Sequence, residues 1–475
     1  MPEEVRPTQE EILAFVNASA SPFPLHYGAF IMGYHGRTER LTKYGPDGFH
    51  PVHLGDVIKH QYRVLAKLGA GGFGTVWLCR DTINSRYVAL KIDTARNFKP
   101  DYLPIECYLA TLDQSISGSQ YFNAPLDYFT IFGPNGKHQC IVSLVLGPEI
   151  APDIWRYIEK DRRASVLRDT ARQAVEAMQF LHDNNIFHGD FRPSNILIKL
   201  TSFDHLPEAE VLRRLCQPKR KMLPVVDIAS GGVPPAFLPR YVVEAVDIGQ
   251  IGIEFFTSTI SVIDFGVSGL VDASGCAIEQ FQQWKQFAIP ASYQPPEVLL
   301  LFNKRLRGEP SADLPHLSRG NPRTADRWAL ACTIAEIRMQ ERLFLGSKPE
   351  LVLCDMVSFF GKLPQSWWNE WNTRSAYFTE DGLSKAAKPG TKDRERLPLI
   401  HQRIRAKDSP ATGQSYPAIY RLEMVLMGYD SPNHLEPPSE DEQRLLADLL
   451  RKMCHYDPSQ RLRLPEALQH DWLIR

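Results

Sequence analysis

Between Tyr62 and Ile92 the chain sets short apolar runs around glycines. "YRVLAKLGAGGFGTVWLCRD" leads through a polar break into "RYVALKI", the pattern of β-strands joined as a hairpin sheet. The period changes at "RRASVLRDTARQAVEAMQFLH", where Leu167, Ala171, Ala174, Met178 and Leu181 recur at alternating four and three and predict an amphipathic helix. "DRWALACTIAEI", residues 326 to 337, is apolar nearly all round and predicts a buried helix. "DEQRLLADLLRKMC" predicts another amphipathic helix near the end, followed by "DPSQRL" and a last helical stretch. No internal repeat interrupts this order. A small β-rich segment thus precedes a larger helical one, which predicts an α+β chain of two lobes.

Two regions depart from the pattern. Residues 1 to 46 mix Pro, Gly, Ser and charge and are expected to form a tail or a loosely docked extension. Residues 201 to 258 carry Pro-rich, charge-mixed sequence ("QPKRKMLP", "GGVPPAFLPRY") between two strand candidates, and are expected to be an insertion rather than core. The predicted division is therefore a tail over 1–46, a first lobe over 47–143, and a second lobe over 144–475 that contains the insertion.

Composition narrows the partners. The 475 residues exceed what one compact core usually holds, and 43% apolar with 23% charged is the mix of a folded chain. Lys plus Arg number 54 and Asp plus Glu 55, so no global field favours nucleic acid or membrane, and a charged partner must be met by a local patch. The eight cysteines are scattered, without CxxC pairs, and those inside apolar runs, such as Cys140 and Cys332, are expected to be core. The acidic start "MPEEVRPTQEEILAF" has no signal-peptide pattern, and no apolar stretch reaches spanning length. The expectation is a cytoplasmic or nuclear monomer with reduced thiols, contacting neither membrane nor nucleic acid directly.

The chemistry sits in an ordered series of short motifs. "LGAGGFGTV" supplies Gly69, Gly71 and Gly74, where the backbone can approach phosphate and turn N–H groups toward it. Because "TVWLCRD" continues as strand, the sequence disfavours a dinucleotide-type strand-to-helix turn, and by itself the motif also fits a glycine-rich hairpin turn. "VALK" sets Lys91 among apolar neighbours, where an ammonium needs an anionic partner, and Glu106 in "PIECYLATL" is the candidate. "HGDFRPSN" spaces Asp190 and Asn195 as a phosphotransfer loop spaces its hydroxyl-orienting carboxylate and a magnesium ligand, with Arg192 as a cation near the transferred phosphate. "VIDFGVSG" ends an apolar strand in Asp264, a carboxylate suited to a second contact with that hard cation. Glu297 in "YQPPEVLL" and Arg461 in "DPSQRL" are a candidate buried ion pair. Asp326 is placed to bond the backbone of the Asp190 loop. Each motif alone is a common accident; six of them in one order are not.

Together these residues resemble a eukaryotic protein kinase. "GFHPVHLGDVIKHQYRVLAKLGAGGFGTVWLCRDTINSRYVALKI", "IVSLVLGPEI", "FFGKLP", "YFTEDG" and "LLADLLRKMCHYDPSQRL" are similar to the serine/arginine-protein kinases, over roughly residues 47 to 475. The resemblance implies a two-lobed kinase fold with a shortened spacer at 201–258, and transfer of the ATP γ-phosphate to protein Ser or Thr with Mg²⁺ as cofactor. It implies that Leu68, Gly69, Ala70, Gly71, Gly72, Phe73, Gly74, Val76, Ala89 and Lys91 line the nucleotide. Leu144 and Leu146 would then lie along adenine, beside Ser143. Asp190, Lys91, Glu106 and Arg192 would be catalytic, and Asn195 and Asp264 would hold metal. Arg-Ser-rich splicing factors are the implied substrates, with Asp355, Glu380 and Asp381 as acidic contacts. The chain departs from the family pattern at Ala70, Gly72, Leu144, Phe265, Arg192 and Pro290, the last where kinases commonly carry Thr. Gly189 stands where many kinases have an Arg that gathers an activating phosphate, so phosphorylation at Ser268, Ser274 or Ser292 is not expected to be required. The rival reading is a pseudokinase that binds nucleotide and works through protein contacts.

Overall fold

The computed structural model describes residues 38–98, 104–152, 154–222, 236–273, 275–277, 289–306, 308, 321–346, 348–383, 385 and 438–474. They divide into two compact units, one holding residues up to 112 with 123–148 and 198–257, the other holding 113–122, 149–197 and 258 onward.

The first unit is built on a six-stranded sheet. Its strands are β1 (Val57–Ile58), β2 (Tyr62–Ala70), β3 (Gly74–Asp81), β4 (Arg86–Asp93), β5 (Asp127–Gly133) and β6 (Gly136–Leu144), in the order β1-β2-β3-β4-β6-β5. Neighbours pair antiparallel, with Val76 opposite Lys91 and Lys91 opposite Ile141. Alternation along the strands separates the faces. Val64, Trp77, Cys79, Val88, Leu90, Ile92, Cys140 and Val142 bury one face. Val76, Ala89 and Lys91, in paired register, belong to the other.

What covers that sheet is not what composition suggested. Val52 from the N-terminal segment and Tyr241 and Val243 from the insertion complete the cluster over the buried face. A second cluster joins Leu65, Ala66, Leu78 and Tyr87 to Phe203, Val211, Leu215, Ile251 and Phe255. Asp204 accepts the Tyr87 backbone N–H at 2.6 Å, and Tyr87 Oη donates to the Leu206 carbonyl at 2.8 Å. Residues 201–257 therefore contribute core to the first unit, through the helix Glu208–Arg214 and the antiparallel ribbon of Arg220–Met222 with Tyr241–Val243. Their apolar positions are broken up by prolines and charges and follow no single period, so the sequence read as an insertion rather than core. The N-terminal segment is also built in from residue 38. Leu41, Tyr44 and Phe49 pack with Leu238 and Val242, and the fully buried Lys67 ammonium pairs with Glu39, whose carboxylate also accepts from Tyr44 Oη at 2.5 Å. A charge so buried is stable only when paired.

The second unit is helical. The helix Arg163–Asp183 buries Leu167, Ala171, Ala174, Met178 and Leu181, the stripe that the period predicted. The helix Pro322–Met339 is buried through most of its length, Cys332 included. It starts at Asn321, whose side chain accepts the Arg323 N–H, with Pro322 at its first position. The helix Glu440–Met453 is capped by Ser439 and opens on Glu440, Asp441 and Glu442, which suit its positive end. Glu297 and Arg461 form a bidentate pair at 2.8 and 2.7 Å, both buried, with the guanidinium over the Trp328 ring. Among the described residues no helix is long and apolar enough to cross a membrane.

Candidate active site

The first unit carries the glycine loop. β2 and β3 lead into it with Gly69 opposite Val76, and the Gly71 N–H donates to the Gly74 carbonyl at 2.9 Å. Its glycines divide into two kinds. A Cβ on Gly74 would lie 2.5 Å from the Ile92 carbonyl oxygen, so the fold itself requires glycine there. A Cβ on Gly69, Gly71 or Gly72 would meet nothing within 4 Å, and none has a positive φ. The fold has no need of glycine at those three positions, and glycine there leaves the backbone open to close approach. Ala70 and Gly72 are exposed, whereas Leu68, Phe73 and Val76 are half-buried.

Lys91 lies in the central strand β4, and its Nζ is 3.6 Å from Asp93 Oδ1. Glu106 occupies the first turn of the short helix Ile105–Leu109, half-buried. Ala89 faces Ser143 across β4 and β6, and is buried. Leu144 is 47% exposed, a large apolar side chain left open at the end of β6, with the half-buried Leu146 two residues on.

In the second unit, the residues predicted for proton and metal chemistry are brought together. Arg192 Nε donates to both Asp190 oxygens, at 3.0 and 3.1 Å. Asn195 Nδ2 donates to the Asp190 carbonyl at 2.8 Å and to Asp190 Oδ2 at 3.0 Å. An ionised carboxylate has about four acceptor positions; these contacts take both on Oδ2 and one on Oδ1, leaving one open on Oδ1. Burial pushes the Asp190 carboxyl above its ordinary value, the charges of Arg192 and His188 pull it back, and Asp264 adds a push upward.

The loop is fixed from behind. Asp326 accepts the His188 N–H at 2.8 Å and the Gly189 N–H at 2.9 Å, and its carboxylate is 3.2 Å from His182 Nε2. Gly189 has φ +80, and a Cβ there would lie 2.9 Å from the Val267 carbonyl oxygen. The position that many kinases give to Arg is thus one where this backbone favours glycine. His188 Nε2 approaches the Ile263 carbonyl at 3.1 Å, Ser268 Oγ donates to the His188 carbonyl at 2.7 Å, and the Ile263 N–H donates to the Asn195 carbonyl at 2.9 Å. These bonds stitch the Asp264 loop to the Asp190 loop. Asp264 itself has φ +65, a left-handed geometry that Asp tolerates better than most residues. Phe265 is buried and lies 5.1 Å from the His188 ring.

The donor set fits magnesium. Both Nδ2 bonds of Asn195 point to Asp190, so its amide oxygen is the atom it offers, and Asp264 offers a carboxylate; both are hard oxygen ligands. Among the described residues no cluster of three or more His, Cys, Asp or Glu could form a closed metal cage.

One predicted contact is overturned. Asp355, expected as a surface contact for basic peptides, is fully buried and accepts the Leu345 and Gly346 N–H groups, both at 3.0 Å. Burial raises its carboxyl to about 7 against those two bonds. Its neighbours in "LVLCDMVSFF" form an apolar helix, Pro349–Phe360, so a carboxylate there faces inward. Glu380 and Asp381 are exposed, and Glu380 accepts from Trp368 Nε1 at 3.2 Å. Ser268 and Ser292 are buried, and Ser274 lies outside the described residues. Sequence reasoning passed over Thr94, Asn97 and Gln294. Gln294 Nε2 donates to the Ile289 carbonyl at 2.6 Å, one residue before Pro290, which has no N–H or hydroxyl of its own to give.

Comparison with known proteins agrees with this geometry. The protein kinase domain family matches residues 62–206 and 253–473. The chain is 35% identical over 163 residues to a serine/threonine-protein kinase, spk-1, of Caenorhabditis elegans, covering 33% of this chain and 16% of the relative. It is 25% identical over 450 residues to the serine/threonine-protein kinase SRPK of Physarum polycephalum, covering 92% of this chain and 91% of that one. It is 32% identical over 186 residues to human SRSF protein kinase 3, covering 38% and 33%. The match to the nematode kinase thus spans well under a fifth of that relative's length, while the slime-mould relative aligns nearly end to end. With the family match on both sides of the insertion, and with the predicted motifs on the elements that should carry them, this chain belongs to the protein kinase family and is similar to its SR-protein kinases.

Proposed function

We propose that the chain is a serine/threonine protein kinase that uses Mg·ATP. The observation that carries this reading is the state of Asp190: buried, held by Arg192 and Asn195, with its loop anchored on Asp326 and one acceptor position open on Oδ1. Phosphoryl transfer asks a protein for positioning and charge neutralisation more than for covalent chemistry. Asp190 Oδ1 accepts or orients the substrate hydroxyl's proton, and the Arg192 charge favours the ionised form of that carboxylate. Asn195 and Asp264 are the ligands for magnesium, which when bound supplies charge neutralisation at the phosphates. Lys91 holds phosphate oxygens, and the glycine loop offers backbone N–H groups to them. Leu68, Val76, Ala89, Leu144 and Leu146 give the adenine apolar surface.

For substrate we propose Arg-Ser-rich proteins such as splicing factors. Similarity to SR-protein kinases supports this class, and the exposed Glu380 and Asp381 are the acidic candidates that remain. The test is a peptide library with labelled ATP and magnesium at several salt concentrations. The expected result is preference for serine flanked by arginine, declining as ionic strength rises. Preference for acidic or Ser-Pro sites would discard the substrate class and leave the kinase reading standing.

A further inference from the structure

The tip of the glycine loop is tied to the rest of its unit at the Phe73 carbonyl. The Phe73 carbonyl accepts the Thr94 N–H at 2.7 Å and Asn97 Nδ2 at 3.3 Å. Fixing that oxygen fixes the whole Phe73–Gly74 peptide plane, since the peptide unit is rigid. Gly74 is meanwhile clamped against the Ile92 carbonyl. The loop's remaining residues, from Gly69 to Gly72, stand open.

Residues 94 to 97 are themselves seated by the N-terminal segment. The Ala95 N–H donates to the Gly48 carbonyl at 3.0 Å, and the Arg96 N–H donates to the Asp47 carbonyl at 2.9 Å. The segment is held in turn at Asn135. The Asp47 N–H donates to the Asn135 carbonyl at 3.0 Å, while Asn135 Nδ2 donates to the Phe49 carbonyl at 2.6 Å and to Phe237 of the insertion at 2.9 Å. The strap cannot shift easily, because Gly48 packs so tightly that a Cβ would lie 2.2 Å from the Lys43 carbonyl oxygen. An unbroken hydrogen-bonded path therefore runs from the N-terminal strap and the insertion to the loop tip.

We infer that Asn97 is a positioning residue for the glycine loop, and that the Asp47–Gly48 strap seats it. The inference rests on the reading of this loop as the nucleotide-phosphate loop. Asn97 does not touch nucleotide; it holds the turn in the shape that binds phosphate, and the strap keeps Asn97 and Thr94 in place. Loosening either spreads the loop over several conformations, and only the competent fraction binds nucleotide.

The test uses the full chain with Asn97→Ala, Asn97→Gln and Gly48→Ala, measuring steady-state kinetics and calorimetric binding of Mg·ATP. Asn97→Ala is expected to raise KM for ATP and the ATP dissociation constant together by about three- to tenfold, the range of one neutral hydrogen bond. Its kcat and its KM for peptide should stay within about threefold, and Asn97→Gln, which keeps a donor, should recover part of the loss. Gly48→Ala should shift ATP affinity in the same direction, without a residue near the loop having been changed. Unchanged ATP affinity in Asn97→Ala overturns the inference, as does an equal loss in ATP and peptide terms without rescue by Gln, which marks a merely structural role. If wild-type protein neither binds nor uses Mg·ATP, the kinase reading fails first and this inference with it. If wild type does both and the variants match it, this inference alone fails.

Discussion

The loop that carries Asp190 and the loop that carries Gly69 to Gly74 are held in opposite ways. The first is buried and bonded at nearly every residue: Asp326 takes two of its backbone N–H groups, Ser268 donates to it, and Arg192 and Asn195 converge on one carboxylate. The second stands open, pinned at the Phe73 carbonyl and at Gly74. Proton and metal chemistry gains from fixed dipoles that need no reorganisation. A phosphate loop must admit a ligand and release it. Damage to the Asp190 loop should therefore be severe and should strike turnover, whereas damage around the glycine loop should be graded and should strike nucleotide affinity.

The largest break is Asp326→Ala. It leaves the His188 and Gly189 N–H groups without their acceptor inside the second unit, at a cost of about 1–3 kcal/mol each. Phosphotransfer should fall by about three decades, and chemical denaturation should show the stability loss; near-normal turnover would mean the loop does not need its anchor. Next is Arg192→Ala, which removes a cation that pulls the Asp190 carboxyl down. The sign follows: Asp190 already lies above its ordinary value, the variant raises it further, and the acid limb of the kcat–pH profile moves to higher pH. An unmoved acid limb, with kcat down about tenfold, would assign Arg192 to the phosphate alone.

A smaller effect tests how far the insertion belongs to the first unit. Asp204→Ala removes the acceptor for the Tyr87 N–H and should cost about 1–3 kcal/mol in denaturation while leaving kcat within a few-fold. The smallest concerns Asp355. Its carboxyl is held at about 7 in the folded chain against roughly 4 unfolded, so it favours the folded state below pH 4 and that contribution is lost as pH rises through 7. Asp355→Asn should flatten this slope, gaining stability on wild type as pH rises from 4 to 8 in a melting series. Parallel pH curves would show that the site relaxes to solvate the charge.

Much of this was legible in the sequence, for physical reasons that differ by region. Helices of the second unit bury continuous stripes, so Leu167 to Leu181 announced themselves by period. The motif residues Asp190, Asn195 and Asp264 lie close in sequence to the strands and turns that position them, and Asp326 and the Glu297–Arg461 pair were found because their partners occupy a fixed order along the chain. The insertion hid its core role because Phe203, Val211, Tyr241 and Val243 cluster with residues of β2 to β4, more than a hundred positions earlier, and such pairings leave no local period. Asp355 misled because charge was read without the apolar helix that surrounds it. Asn97 left no signal at all: a single side-chain amide reaching a backbone carbonyl 24 positions away has no pattern to read.

The most direct test of the central claim is transfer of labelled phosphate from ATP with magnesium to a serine-containing protein substrate, with wild type and Asp190→Asn run side by side and nucleotide binding measured on both. The account predicts transfer by wild type, a loss of about three decades or more in Asp190→Asn, and ATP binding kept by both. Wild-type protein that binds ATP yet transfers nothing, or an Asp190→Asn variant that turns over as wild type does, would contradict it.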